Sequence, residues 1–203
     1  MKLFITGIGT EIGKTVCSAI LVQYFKADYW KPVQSGDLDY TDTKKIETWT
    51  DHTFCYPETY RFQLAASPHQ SARAENIQID LDNFQLPETQ NALIIEGAGG
   101  LMVPLSDDIF MIDLIDKLNV PAALVVRNYL GCINHTLLSI MALKQRGITL
   151  EYLIFNGSFP EDTERVITGF ITKETEIIKI PEIKSTDKEH ITTTAKQLKI
   201  TKL

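Results

Sequence analysis

Apolar residues fall along this chain in two alternating patterns. Short unbroken runs recur at 2–6 (KLFIT), 91–96 (NALIIE), 121–126 (PAALVV) and 150–156 (LEYLIFN). Runs of this length suit strands covered on both faces. Between them apolar positions step at helical intervals: Val16, Ile20, Val22 and Phe25 over 14–26, and Ile109, Ile112, Leu114, Ile115 and Leu118 over 109–118. A further helix is expected over 133–146, ending at Arg146-Gly147. YWKPV at 29–33 reads as a second short strand, which its proline makes an edge or terminal piece. The spacing also predicts helices over 43–50 and 161–172, a strand over 175–180, and a polar helix near 187–199 with few core contacts. Residues 54–90 carry Pro57, Pro68 and Pro87 and read as an excursion from the sheet.

Strands alternating with helices predict one α/β domain over 1–203, with a mostly parallel central sheet and helices on both faces. Crossovers should be right-handed, and ligands should bind at the carboxyl ends of the strands.

Composition changes this picture little. The chain has 203 residues, 44% hydrophobic and 23% charged, which suits a single soluble globular domain. Its net charge of −6, with no basic run, argues against a nucleic-acid or anionic-membrane footprint. Any phosphate must therefore be bound locally, against the global charge. Neither a signal peptide nor a membrane span is expected. Cys17, Cys55 and Cys132 are odd in number and far apart, so a reducing cytoplasm is the expected compartment. His52, His69, His135 and His190 lack metal-ligand spacing.

The candidate chemistry gathers after strands. Residues 4–16, FITGIGTEIGKTV, approach the phosphate-loop pattern G-x-x-x-x-G-K-[ST], but position 8, where the first glycine belongs, is Ile8. Gly7 leaves five residues before Gly13, and Gly9 leaves three. Lys14 starts a helix, where a cation is disfavoured unless an anion is also present. Thr15 could offer its hydroxyl to Mg²⁺ or cap the helix. Glu96 ends an apolar strand, where a carboxylate needs a partner if buried. The Gly97, Ala98 and Gly99 that follow let a ligand approach the backbone. Asp42 reads as a turn aspartate or a metal ligand. Lys31 could stabilise a transferring phosphoryl group, or it could be a snorkelling surface lysine.

Taken together, FITGIGTEIGKT, YWKPVQSG, IIEGAGGLMVPL and VVRNYLGCINH resemble dethiobiotin synthetase, from residue 3 to about residue 157, with weaker support in KIPEI at 179–183. That family's loop has five residues between its glycines, as Gly7 to Gly13 does. The resemblance implies a P-loop NTPase fold and an ATP-dependent ligase. It would join 7,8-diaminononanoate and CO₂ into dethiobiotin through a carbamate and a carbamic–phosphoric anhydride, releasing ADP and phosphate. It implies Lys31 and Lys14 as catalytic residues, and Thr15, Asp42 and Glu96 as Mg²⁺ ligands. Nucleotide would be held by Glu11, Ile12, Gly13, Lys14, Thr15 and Val16, by Asp42 and Glu96 to Gly99, by Asn156 and Gly157 at the adenine, and by Pro181, Glu182 and Ile183 against the base. Thr10 and Ser35 would meet the substrate's reacting end. Leu130, Gly131, Cys132, Ile133 and Asn134 would receive its carboxylate from across a two-fold interface, which implies a homodimer. SPHQSA at 67–72, with His69, would lie beside the substrate.

The nearest alternative is a regulatory switch ATPase of the partitioning or septum-placement type. Those proteins carry a second lysine in the loop which, aligned on Lys14, would fall at Gly9.

Overall fold

The structure is a computed structural model and describes residues 1–51 and 53–202. His52, one of the four histidines, and Leu203 lie outside the described residues. Strand β1 (Lys2–Gly7) runs through the middle of the main sheet, parallel to β6 (Leu93–Gly100) on one side and β7 (Ala122–Arg127) on the other. Beyond β6 lie β2 (Asp28–Trp30) and β4 (Cys55–Tyr56). Beyond β7 lie β8 (Leu150–Asn156), β9 (Glu176–Ile180) and β10 (Ile200–Lys202), giving the order β10-β9-β8-β7-β1-β6-β2-β4. Every pairing is parallel except β10 with β9. Two further strands, β3 (Val33–Ser35) and β5 (Tyr60–Phe62), form a small parallel ladder of their own.

The unbroken apolar runs are explained by packing on both faces. Side chains alternate across a strand. Leu3 and Ile5 of β1 meet α1 (Lys14–Phe25), while Phe4 between them packs in the opposite cluster with Ile112 and Ile115 of α4 (Met111–Leu118). Phe110 precedes α4, and its backbone N–H donates to Asp113 Oδ2 at 2.7 Å, which fixes that helix start. Helix α5 (Cys132–Gln145) covers the β7–β8 region with α6 (Glu161–Thr168), through Ile140 and Ile167 against Leu124, Leu153 and Phe155.

Three expectations need correction. Strand β2 is not at the edge: Pro32 ends it after Trp30, and β4 continues the sheet outside it. Residues 54–90 are only partly an excursion, since they supply β4 to the main sheet, β5 to the small ladder and α3 (Pro68–Ala74). The C-terminal helix α7 (Lys188–Gln197) is not a surface appendage. Its Ile191 and Ala195, four residues apart, are buried in the cluster that contains α1. It leads into β10, which the pattern did not signal.

Candidate active site

Parallel pairing brings the carboxyl ends of β1, β2 and β6 level. Ile5 pairs with Glu96 and Trp30 with Ile95, so Lys31, just past Trp30, arrives beside Glu96. A cavity of about 720 Å³ opens at this edge, lined among others by Thr10, Lys14, Lys31, Ser35, Asp42 and Glu96.

The loop between β1 and α1 is framed by Gly7 and Gly13. A Cβ on Gly7 would lie 2.2 Å from the Ile12 side chain, so the loop folds back onto that position. Gly13 has φ +84°, and a Cβ there would lie 2.3 Å from Asn156 Nδ2. A Cβ on Gly9 would meet nothing within 4 Å. Of the three loop glycines, Gly7 and Gly13, with five residues between them, are thus the two whose Cβ would crowd a neighbour. Asn156, at the end of β8, braces the loop by donating from Nδ2 to the Ile12 carbonyl at 2.8 Å. Lys14 is buried and donates to the Gly9 carbonyl at 2.8 Å. Burial, then the nearby Lys31 charge, lowers its pKa to about 8.

The centre of the cavity is a buried ionic cluster. Lys31 Nζ lies 2.7 Å from Asp42 Oδ2, 3.1 Å from Glu96 Oε1 and 3.4 Å from the Gly97 carbonyl. Thr15 Oγ1 donates to the same Glu96 Oε1 at 2.8 Å. The other Glu96 oxygen, Oε2, accepts from Tyr29 Oη at 3.0 Å. Asp42 Oδ1 accepts from Lys45 Nζ at 3.1 Å. Lys31 and Glu96 are 4% and 1% exposed, so neither charge could stand alone here. Burial acts to lower the Lys31 pKa, but Glu96 and Asp42 outweigh it and hold it above the ordinary lysine range. Burial acts to raise Asp42, but Lys31 and then Lys45 hold it below the ordinary carboxylate range. Burial, reinforced by Glu96, pushes the Tyr29 phenol well up, so it stays a donor.

Asp42 opens helix α2 (Asp42–Trp49). Thr41 caps that helix by accepting from Lys44 N–H at 3.2 Å. Gln34 reaches the same turn: its Oε1 accepts from Asp42 N–H at 3.3 Å and its Nε2 donates to the Gly36 carbonyl at 3.0 Å. Ser35 Oγ is buried at the cavity wall and has no hydrogen-bond partner among the described residues.

Glu11, Gly13, Val16, Ala98 and Gly99 also line the cavity. Ile12 turns into the core instead, and Gly97 contributes its carbonyl to Lys31. Pro181, Glu182 and Ile183 follow β9 outside the cavity lining. Glu182 crosses Gly157 to pair with Arg127 at 2.5 Å, and a Cβ on Gly157 would meet Glu182 Oε2 at 2.8 Å. Leu130 to Asn134 do not reach the cavity within this chain. They begin α5 beyond a separate hollow of about 490 Å³ that is lined by residues 8–12, Arg127, Asn128, Tyr129 and His135. His69 donates its backbone N–H to Pro104, and its ring Nδ1 lies 3.0 Å from Ser67 Oγ. Ser67 and Pro68 line the cavity, and His69 does not.

Tyr29, Gln34 and Lys45 join the site only in the structure. Two signals existed: Tyr29 is two residues before Lys31 on an extended segment, and Lys45 is one turn after Asp42 on a helix. Among the described residues no group of three or more His, Cys, Asp or Glu side chains could hold a metal. The side-chain oxygens gathered in the Lys31 cluster are those of the Asp42 and Glu96 carboxylates and the Thr15 hydroxyl. None of the described helices is long and apolar enough to cross a membrane.

A family model described as an AAA domain matches residues 1–190. Curated relatives named ATP-dependent dethiobiotin synthetase BioD include one from Cytophaga hutchinsonii, 48% identical over 175 residues, which span 83% of this chain and 84% of the relative. One from Christiangramia forsetii is 49% identical over 167 residues (81% and 80%), and one from Agrobacterium fabrum is 41% identical over 187 residues (90% and 88%). Among solved structures, the septum site-determining protein MinD complexed with Mg-ADP from Pyrococcus horikoshii superposes with TM-score 0.56 at 14% identity, covering 97% of this chain and 96% of that one. A ParA family ATPase from Chlorobium tepidum superposes with TM-score 0.52 at 13% identity, covering 95% and 98%. At such identities these two share the P-loop ATPase fold alone.

Proposed function

The chain belongs to the ATP-dependent dethiobiotin synthetase family and is an ATP-dependent ligase, and from that premise we propose that it closes the ureido ring of dethiobiotin from 7,8-diaminononanoate, CO₂ and ATP. The observation that carries this reading is the buried cluster of Lys14, Thr15, Lys31, Asp42 and Glu96 on one cavity. One amine of the diamine adds to CO₂, loses a proton and becomes a carbamate. A carbamate oxygen attacks the γ-phosphorus as the bond to the β-phosphate oxygen breaks, and ADP leaves. The second amine then attacks the carbonyl carbon of the mixed anhydride. The carbon–oxygen bond to phosphate breaks, phosphate leaves, and the amine's proton is released.

Phosphoryl transfer of this kind asks for alignment and charge stabilisation more than for a covalent nucleophile. The backbone N–H groups of residues 11–16 lie at a helix N-terminus, a natural seat for phosphate oxygens. Lys14 turns from the Gly9 carbonyl to the β- and γ-phosphates. Lys31, held charged by its two carboxylates, acts as a fixed cation near the transferring group and not as a base. The unpartnered hydroxyl of Ser35 and the exposed Thr10 receive the carbamate end.

Thr15, Asp42 and Glu96 supply only hard oxygen donors, which fits Mg²⁺, and the Lys31 ammonium already takes a cation's place between the two carboxylates. Bound there, Mg²⁺ would neutralise charge on the nucleotide phosphates. Asn156, Gly157 and Pro181 to Ile183 hold the base side of the nucleotide. Leu130 to Asn134 receive the substrate carboxylate from a second copy of the chain, a homodimer supported by the exposed Met102, Leu130, Leu138 and Met141. Residues 1–203 are read as one domain, a reading supported by a main sheet that takes in both β1 and β10. Three free cysteines are consistent with the cytoplasm.

The test is stoichiometric. The purified protein should release ADP and phosphate only when diamine and CO₂ are both present, with dethiobiotin formed in equal amount. Rapid ATP hydrolysis without them, together with no ring closure in their presence, would sink the proposal. Lys31→Ala should lose most turnover while still binding nucleotide.

A further inference from the structure

We infer that Tyr29 and Lys45 set the metal selectivity of this site, by holding back one oxygen of each carboxylate so that the pair favours Mg²⁺ over Ca²⁺. The inference rests on the reading of Thr15, Asp42 and Glu96 as metal ligands. Each carboxylate is divided in the same way. Glu96 gives Oε1 to Thr15 and Lys31 and Oε2 to Tyr29. Asp42 gives Oδ2 to Lys31 and Oδ1 to Lys45. All four oxygens are engaged: the two facing Lys31 are those a cation taking up the ammonium's place would meet, and the two behind them are held by Tyr29 and Lys45, outside that place.

Both braces are built in. Tyr29 is fully buried between β6 and β4, so its hydroxyl needs a partner inside the protein. Glu96 Oε2 is that partner. Its place two residues before Lys31 puts both side chains on one side of the extended chain. Lys45 sits one turn after Asp42 on α2, with its side chain largely buried along the cavity wall. Neither residue has to touch a metal, so both are positioning residues.

Pinning the second oxygen matters because Ca²⁺ and Mg²⁺ use carboxylates differently. Ca²⁺ takes six to eight oxygens and readily binds a carboxylate through both. Mg²⁺ demands a tight octahedron, takes one oxygen per carboxylate and fills the rest with water and phosphate. A carboxylate with one oxygen held by a phenol or an ammonium offers only the second mode. Freeing Oε2 or Oδ1 restores the first and relieves the penalty on Ca²⁺.

The experiment uses the full chain and a fluorescent ADP analogue. Its dissociation constant is measured in EDTA, in Mg²⁺ and in Ca²⁺ for the wild type, Tyr29→Phe and Lys45→Met. The wild type should bind the analogue more weakly with Ca²⁺ than with Mg²⁺. Each substitution should narrow that ratio by about tenfold, chiefly through tighter binding with Ca²⁺. Thermal melts establish that each variant is folded, and Lys45→Met, at the less buried of the two positions, carries the test if the Tyr29 change does not fold. A ratio within twofold of wild type in the folded variants overturns the inference while leaving the metal reading intact. Wild-type binding that is the same in EDTA and in Mg²⁺ overturns the metal reading, and this inference with it.

Discussion

Replacing Lys31 by methionine tests the central cluster directly. The lysine stem is kept in length and the charge is removed. Two carboxylates then face one gap, with Lys45 paired to Asp42 and the Lys14 charge within reach of both. Removing one partner of a buried ion pair costs about 3–5 kcal/mol, because the other charge is left uncompensated. Urea denaturation in EDTA reads this as a midpoint lowered by on the order of 2 M at ordinary m-values. The pH dependence gives a sharper signature. In the intact protein Asp42 lies below its usual value, so its contribution to stability is present above the unfolded pKa and lost as the pH falls through the folded one. Without Lys31 the chief lowering cause is gone and burial remains, so Asp42 moves upward. A carboxylate raised in the folded state destabilises at high pH and is relieved by protonation. The deficit of Lys31→Met against wild type should therefore be largest near pH 8 and shrink toward pH 5. An unmoved midpoint at pH 8, or a deficit that grows on acidification, refutes the reasoning.

Other consequences follow from neighbouring contacts. Lys14 is lowered to about 8 by burial and then by Lys31, so above that pH the free protein must take up a proton before its ammonium can face phosphate. ADP affinity should weaken by up to about tenfold per pH unit above 8, and calorimetry near pH 8.5 should detect proton uptake through the buffer's ionisation heat. A flat profile to pH 9.5 would exclude this. Asn156→Ala orphans the Ile12 carbonyl and should cost about 1–3 kcal/mol by urea titration, with weaker nucleotide binding. Unchanged nucleotide affinity would remove Asn156 as the brace of the loop. Ile191→Ala should cost about 2–5 kcal/mol, because this α7 side chain is fully buried against α1; a loss below half a kcal/mol would mean the helix is a surface appendage after all.

The parts legible in the sequence are those whose signal is local. Leu3 to Ile5 and Leu93 to Ile95 read as strands because both faces of the sheet are covered, so no polar residue interrupts them. Lys14 and Glu96 read as site residues because a charge at a glycine-flanked strand or helix end has few bland explanations. Two-residue β4 carries too little pattern to be seen, and three-residue β10 owes its place to docking beside β9. Helix α7 reads as a surface element because its buried stripe is only Ile191 and Ala195 among polar neighbours. Tyr29, Gln34 and Lys45 are not legible for a different reason. Each acts on another residue's carboxylate or backbone, so its role exists only once the fold sets β2 beside β6 and α2 over the cavity.

The cluster also resolves how an acidic chain can hold a polyanion. The chain's net charge of −6 opposes a nucleoside triphosphate at long range. Within the ionic cluster itself the balance is different: Lys14, Lys31 and Lys45 stand against Asp42 and Glu96, leaving one positive charge, while the other two carboxylates of the cavity lining, Glu11 and Asp37, are exposed to solvent. A charge at that depth is screened far less than the surface carboxylates are. One positive charge is still too little for a triphosphate, and the two carboxylates that reduce it to one are the groups suited to recruit a divalent cation. The same pair holds Lys31 charged before any ligand arrives. Under the proposed function Asp42 and Glu96 do two things at once: they keep the lysine cationic in a buried place and provide the oxygens for the metal. That double demand accounts for why residues from β2, α2 and β6, up to 65 positions apart, must meet at a single ammonium.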